Sequence, residues 1–178
     1  MAHFEKQLTT KTIYDGKILE LHSDTVELEN GNQALREVII HHGGVGILPV
    51  DAQNNLLLVR QFRYPTGAEL LEIPAGKMEK GEDPRQCGLR ELEEEVGCHA
   101  AVFESMGCMW PTPAYDTELD HLFYAEELTP CNQHLDEDEF LDVVRLPLKK
   151  AIEMVLNNEI PDAKTQLAIL KYAALKQK

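Results

Sequence analysis

The sequence lacks the features of a membrane or secreted protein. No hydrophobic run is long enough to cross a bilayer, and the polar segment Met1 to Thr12 has no apolar signal-peptide core. Its four cysteines show neither metal-binding nor redox spacing, so they are expected to be reduced thiols in the core or at its boundary: Cys87, Cys98, Cys108 and Cys131. These absences predict a cytoplasmic protein.

Basic residues are scarce. Seventeen Lys and Arg stand against 31 Asp and Glu, which gives a formal charge of -14. A chain this acidic repels nucleic-acid backbones and anionic membrane surfaces, so neither is an expected partner. A phosphorylated small molecule can bind only where arginines or a metal reverse the local field. The alternative is that the acidity merely keeps the protein in solution.

No repeat, linker or low-complexity tract divides the 178 residues, so one domain is the default. Apolar patterns on both sides of Asn30-Gly31 predict a hairpin within Thr12 to Ile40. A second hairpin is predicted from Val45–Val50 and Leu56–Phe62. Shorter strands are expected at Leu70–Ile73, Leu119–Ala125 and Val143–Leu146.

Three helices are predicted, and the first has the clearest ends. Asp83 is its expected cap, with Pro84 at the first position, Gln86 completing a capping box and Gly97 ending the helix. The other two run from about Leu148 to Leu156 and from about Asp162 to Lys176. The expected apolar face of the earlier of these two helices is Ile152, Val155 and Leu156. That of the later one is Leu167, Leu170 and Ala174. Strands with interspersed helices indicate a mixed sheet between helices, an α+β or α/β/α arrangement.

Three glutamates share one face of the first helix. Glu91, Glu94 and Glu95 stand at positions i, i+3 and i+4, and the opposite face should hold Leu89, Leu92 and Val96. Carboxylates at these spacings repel one another, and Mg²⁺, which prefers oxygen ligands, would offset that repulsion. Taken alone, however, a glutamate-rich face is more often simply solvated.

The residues before this helix change that interpretation. Gly76 is followed after five residues by Glu82 and after seven more by Arg90-Glu91-Leu92-Glu93-Glu94-Glu95-Val96-Gly97-Cys98. This pattern resembles the Nudix box, Gx5Ex7REUxEExGU, at every fixed letter. Cys98 stands where an aliphatic is usual, and Gly88 where the family has a better helix former.

The resemblance implies a fold, a cofactor and a ligand set. The fold would be a Nudix-type α/β/α sandwich with a mixed sheet (residues 43–178), preceded by an N-terminal antiparallel β-hairpin region (residues 1–42) belonging to the same unit. The cofactor would be Mg²⁺, with Mn²⁺ as the alternative. Glu91, Glu94 and Glu95 would bind the metal together with Glu82 and the carbonyl of Ala75, while Arg90 would orient a glutamate by ion pairing.

Residues outside the box are similar to ADP-ribose pyrophosphatases. The similar stretches are Val59–Pro65, Glu69–Gly76, Trp110–Glu118 and Asp136–Val144. They imply hydrolysis of ADP-ribose to AMP and ribose 5-phosphate, in a homodimer whose N-terminal strands complete the partner's site. The implied substrate-binding residues are Arg36 (reaching the neighbouring subunit's ligand), Arg63, Glu69, Pro113 and Glu118. Ala114 stands where the family usually has glycine. Taken without the resemblance, Arg36 and Arg63 would each be interpreted as part of a surface ion pair.

The general base is expected on the acidic loop Asp136–Phe140. Glu139 fits best and Glu137 is the reserve, although the whole loop could equally be solvated.

Two alternative functions stay open. One is the same chemistry on another nucleotide sugar such as GDP-mannose. The other is a non-catalytic ADP-ribose sensor, a class that usually loses the box glutamates retained here.

Overall fold

The computed structural model describes residues 3–177. They form two compact units, an N-terminal unit of residues 3–43 and 110–119 and a large unit of residues 44–109 and 120–177. No helix within residues 3–177 combines the length and the apolar character that crossing a membrane requires.

The N-terminal unit is built on one antiparallel sheet. Its strands are β1 (Lys6–Asp15), β2 (Glu20–Glu27) and β3 (Gln33–Ile40), in the order β1-β2-β3. The β2-β3 turn contains Gly31 at φ 80°, which confirms the hairpin predicted at Asn30-Gly31. Segment 110–119 is tied to β3 because the Ile39 amide donates to the Tyr115 carbonyl at 2.7 Å.

The large unit contains two further sheets. Its strands are β4 (Gly44–Pro49), β5 (Asn55–Arg63), β6 (Ala68–Glu72), β7 (Ala75–Lys77), β8 (Cys98–Met109), β9 (Asp120–Pro130) and β10 (Leu141–Pro147). One sheet has the order β7-β4-β9-β8 and the other β10-β5-β6. Strands β4 and β9 are parallel while the other neighbours are antiparallel, so the sheet is mixed, as predicted.

The second predicted hairpin is wrong. Strands β4 and β5 follow each other across a turn, but they share only the isolated bridge between Val50 and Leu56 and then enter different sheets. Asp51 organises the turn by accepting the amides of Gln53 and Asn55 at 2.9 and 2.8 Å. Both strands are apolar on both faces, and such runs do not reveal which strand each one pairs with.

Apolar residues on the two faces of the strands form two cores. In β5, Leu56 and Leu58 point to one core while Leu57 and Val59 point to the other, as the two-residue period of a strand requires. The first core is closed by residues of the two C-terminal helices, and the second by residues of the helix that begins after Asp83. Helices therefore cover both faces, which confirms the expected α/β/α layering.

The first helix, α1 (Pro84–Glu91), continues as a π-helical turn over Leu92–Val96. Asp83 caps it by accepting the Gln86 amide at 3.0 Å, and Gly97 ends it at φ 68°. Gly88 has a packing role, since a Cβ there would lie 2.8 Å from Cζ of Phe103. The departure from the usual helix former is therefore explained by a close aromatic neighbour.

The C-terminal helices are α2 (Leu148–Leu156) and α3 (Ala163–Lys176). Their positions were predicted. Of their expected apolar faces, Val155 is buried and Ile152 packs against the first core, while the other residues are exposed. In α2 the buried residues are Ala151 and Val155, and Leu156 is exposed. In α3 the buried face is Thr165, Ala168, Ile169 and Tyr172, while Leu167, Leu170 and Ala174 are exposed. The buried face of α3 combines Thr165 and Ala168 with Ile169 and Tyr172, so hydrophobicity alone selects the wrong stripe of the helix.

Candidate active site

Two of the three box glutamates are buried. Glu91 is 7% exposed and Glu95 is 2% exposed, whereas Glu94 is half-buried. Leu92 and Val96 are buried as expected, but Leu89 is exposed. Burial at this level excludes a merely solvated acidic face for Glu91 and Glu95.

A tight contact joins the glutamates to strand β7. The Ala75 amide donates to Oε2 of Glu95 at 2.9 Å. A Cβ on Gly76 would lie 1.9 Å from Oε1 of Glu91, so any side chain at this position would push the Glu91 carboxylate away. Glycine at position 76 is therefore what lets the Glu91 carboxylate reach the β7 backbone.

Arg90 is the cation that joins the acidic side chains. It donates to Oε1 of Glu91 at 2.7 Å and to Oε2 of Glu94 at 2.8 Å, and its guanidinium lies 3.4 Å from Oε1 of Glu82. Glu82 in turn accepts the Glu79 amide, which lowers the pKa of Glu82. The expected ion pairing of Arg90 thus extends to three carboxylates, which supports an orienting role.

The electrostatics of Glu95 are strongly perturbed. Burial raises the pKa of Glu95 to about 8, and the charges of Glu91 and Glu139 act in the same direction, against the Ala75 amide and Arg63. Burial also raises the pKa of Glu91, to which Glu139 again contributes. Glu139 is half-buried and acts on both box glutamates. Glu137 is exposed and contributes to neither shift, so the structure favours Glu139 as the loop acid of this cluster.

Arg63 stands beside the acidic cluster in an ion pair, the alternative that the sequence left open, but with a buried partner that sequence reasoning missed. It donates from Nε and Nη2 to the two oxygens of Glu72, at 2.8 Å each. Glu72 is 1% exposed and also pairs with Lys164. A signal was present, because Glu72 interrupts the apolar run Leu70-Leu71-Glu72-Ile73, and a carboxylate in a buried strand needs a cationic partner.

The remaining substrate-binding candidates are not part of this cluster. Glu69 is exposed on β6. Three candidates lie in the N-terminal unit: Arg36 is ion-paired with Glu5, Pro113 lies in an exposed turn, and Glu118 lies 3.6 Å from Nδ1 of His41.

A second group of possible metal ligands lies in the large unit. Glu93, His99 and Cys131 bring one ligand atom each within 4.8 Å of one another. A thiol and an imidazole suit softer ions than Mg²⁺, which prefers oxygen ligands. The oxygen donors of the box region, four carboxylates and the Ala75 carbonyl, are the set that fits magnesium.

Family models match both parts of the chain. Residues 40–168 match the model of the NUDIX domain. Residues 5–39 match the model of the nucleoside diphosphate sugar hydrolase N-terminal domain. The two matches together span nearly the whole chain, and they divide it close to the boundary between β3 and β4.

Individual proteins are similar over comparable lengths. An ADP-ribose pyrophosphatase of Bacillus subtilis is 41% identical over 175 residues, which is 97% of this chain and 94% of that protein. A GDP-mannose pyrophosphatase of Yersinia enterocolitica is 34% identical, covering 88% of each chain. A crystal structure described as an ADP compounds hydrolase superposes with a TM-score of 0.86 at 23% identity, covering 97% of this chain and 94% of that one, and so shares the fold.

Proposed function

Because the chain belongs to the Nudix family, as an enzyme that hydrolyses nucleoside diphosphate sugars, we propose that it cleaves the pyrophosphate bond of ADP-ribose to AMP and ribose 5-phosphate with Mg²⁺ as cofactor. The observation that carries the proposal is the pair of buried glutamates, Glu91 and Glu95, held against Ala75 and Gly76. The cytoplasm is the compartment in which we expect the reaction.

The residues of the cluster fit a divalent cation. Glu95 is buried beside two other carboxylates, and its pKa of about 8 shows how unfavourable a further negative charge is there. A divalent cation would remove that penalty. Glu91, Glu94 and Glu95 would hold it, with Glu82 and the Ala75 carbonyl, all of which are hard oxygen donors.

The protein's own groups then have separate tasks in hydrolysis. Magnesium, when bound, supplies positive charge that offsets the charge of the diphosphate and makes water more acidic. Glu139 accepts the proton of the attacking water. Arg63 binds the phosphate oxygens, and Arg90 keeps Glu91 and Glu94 in place.

The choice of ADP-ribose is supported by the B. subtilis relative, which covers nearly the whole chain and is named for that activity. GDP-mannose is the second candidate, because the Yersinia relative named for it is also similar over most of its length. ADP-ribose and GDP-mannose present the same diphosphate to the glutamates and to Arg63. The preference for one over the other must therefore come from contacts with the base and the terminal sugar.

A substrate panel tests the proposal. Purified protein would be incubated with ADP-ribose, GDP-mannose and other nucleotide sugars, with Mg²⁺, with Mn²⁺ and with chelator, and the products separated by chromatography. We expect the highest kcat/KM for ADP-ribose and loss of turnover with chelator. Faster cleavage of GDP-mannose would transfer the assignment to it, and hydrolysis without divalent ions would refute the metal role.

We also propose that the enzyme is a homodimer joined through the N-terminal sheet. Every residue of β1 is exposed, and the sheet and its adjoining loop leave Ile13, Tyr14, Ile18 and Leu35 more than half exposed. Exposed apolar surface of this kind is typical of an interface.

Sedimentation analysis tests the assembly. Deleting Met1 to His41 should abolish both dimerisation and activity, and Leu35→Glu, at a 71% exposed position, should weaken the dimer without unfolding the chain. Glu37→Gln is a control, since Glu37 is exposed two residues along β3 on the same face as Leu35 and its substitution keeps the apolar surface intact. A fully active monomer in either of the first two variants would contradict the proposal.

A further inference from the structure

A balanced set of four charged side chains lies behind the acidic cluster. Glu72, at the end of β6, accepts two parallel hydrogen bonds from Arg63 of β5, with Nε and Nη2 each 2.8 Å from a carboxylate oxygen. Glu72 is 1% exposed. A carboxylate buried so completely is stable only when its oxygens are paired, so the two-bond contact with Arg63 must hold in the folded protein.

The second cation of the set comes from the last helix. Lys164, in the first turn of α3, donates to Oε2 of Glu72 and to Oδ1 of Asp162, the latter at 2.8 Å. Its side chain is only 16% exposed. Glu72 therefore has a cation on each side, and the charges of the two acids balance those of Arg63 and Lys164.

The same helix start is joined to the strand backbone. Asp162 caps α3 by accepting the Thr165 amide at 2.9 Å. The Thr165 hydroxyl oxygen then accepts the amide of Ile73, the residue after Glu72, at 2.8 Å. These bonds fix the position of Lys164 relative to Glu72. The ammonium group of Lys164 is therefore held close to the Glu72 carboxylate by the surrounding fold.

Arg63 remains able to bind a ligand. Its contacts with Glu72 use Nε and one N–H of Nη2, and within residues 3–177 no acceptor bonds to Nη1. Its side chain is 38% exposed. Its charge acts on Glu95, so the guanidinium lies near the acidic cluster. A guanidinium fixed along one edge presents its other edge to an anion.

We propose that Lys164 is a positioning residue, which acts through Glu72 to hold the Arg63 guanidinium against the substrate diphosphate. This inference rests on the proposed pyrophosphatase function. Lys164 does not touch the substrate. Without Lys164, the Glu72 carboxylate is no longer held from the side of α3, so its two-bond contact with Arg63 loosens and Arg63 loses its alignment with the phosphate oxygens.

The test is a double-mutant cycle on kcat/KM with the best substrate of the panel. Lys164→Met should lower kcat/KM by about 10- to 100-fold, the range expected for a misplaced phosphate-binding group. In an Arg63→Gln background, Lys164→Met should lower kcat/KM by less than about twofold, because the group that Lys164 positions is already gone. Lys164→Arg should restore most of the activity.

Lys171→Met is the matched control, since Lys171 lies on the same helix and has no ion-pair partner in the described part of the chain. It should leave kcat/KM unchanged. Thermal unfolding of each variant excludes loss of fold as the cause. Equal costs of Lys164→Met with and without Arg63 would overturn the proposal, because a purely structural role gives additive effects.

A second readout does not depend on turnover. The Arg63 Nε–H resonance, assigned from Arg63→Gln, should be protected from solvent exchange in the wild type and Lys171→Met and lose that protection in Lys164→Met. Undiminished protection in Lys164→Met would overturn the positioning role. If no nucleotide sugar is hydrolysed, the proposed function fails, while this signal still decides whether Lys164 holds Arg63.

Discussion

The burial of Glu95 makes the metal-free protein sensitive to pH. The pKa of Glu95 rises from an ordinary 4.5 to about 8 in the folded chain, first because the carboxyl is buried and then because Glu91 and Glu139 repel its charge; Ala75 N–H and Arg63 act against the rise. Between these two values the folded state binds a proton that the unfolded state has lost. Stability should therefore be greatest below pH 4.5 for this group and should fall as pH rises towards 8.

The size of the effect follows from the shift. A pKa change from 4.5 to about 8 corresponds to at most about 5 kcal/mol, at about 1.36 kcal/mol per pH unit. Relaxation and water entry reduce such penalties, so about 2–3 kcal/mol is the expected loss between pH 5 and 8.5. Glu91 adds to the slope in the same direction, since burial raises its pKa as well. Glu72, whose pKa Arg63 and Lys164 hold below its ordinary value against the effect of burial, contributes only at lower pH.

Urea unfolding at several pH values measures this. The quantity of interest is the free energy of unfolding of wild type minus that of Glu95→Gln, in chelator, because the variant keeps the shape and removes the titrating group. We expect this difference to fall by about 2–3 kcal/mol over the window and to become flat with saturating Mg²⁺. Glu94→Gln, at the half-buried position, should retain the wild-type slope. A difference independent of pH in chelator would refute the electrostatic account of the cluster.

Three further substitutions test individual contacts. Gly76→Ala should keep the fold but lower Mg²⁺ affinity and kcat by at least about 10-fold, since its Cβ would lie 1.9 Å from Oε1 of Glu91; calorimetry and steady-state kinetics measure both. Glu139→Gln should lower kcat by about 10²- to 10⁴-fold while Glu137→Gln stays near wild type, and equal effects would remove the assignment of the base. Gly88→Ala should destabilise the protein in urea, because overpacking an aromatic ring 2.8 Å away costs about 1–3 kcal/mol against about 1 kcal/mol gained in helix propensity.

Local signals predicted the parts of the fold that local interactions determine. The cap at Asp83, the stop at Gly97 and the turn at Asn30-Gly31 all depend on residues within one turn of chain, and each lies where the sequence placed it. The box glutamates were found in the same way, from their spacing along one helix. Their burial was not, because it depends on strand β7 and on the loop that carries Glu139.

Sequence patterns failed where the structure depends on which elements pair or pack with each other. The runs that form β4 and β5 are apolar on both faces and separated by a good turn, which is what a hairpin requires, yet they enter different sheets. Strand β8 (Cys98–Met109) was missed, since its burial pattern is irregular and Gly107 interrupts its register with β9. In α3 the face that packs on the core combines Thr165 and Ala168 with Ile169 and Tyr172, and which face packs depends on the neighbouring strands.

The anchor of Arg63 was harder to predict than the acids of the site for a physical reason. Carboxylates that bind one metal must lie close together, so a single helix can present most of them, and their spacing is visible in the sequence. In the proposed site, a cation that faces the diphosphate has to be held apart from those acids, or it would neutralise them as Arg90 does for Glu91 and Glu94. Arg63 is anchored instead to Glu72, which also pairs with Lys164 from a helix about ninety residues later in the chain. Arg63, Glu72 and Lys164 are brought together only by the fold. The one sign of this anchor in the sequence was therefore the isolated glutamate in an apolar strand.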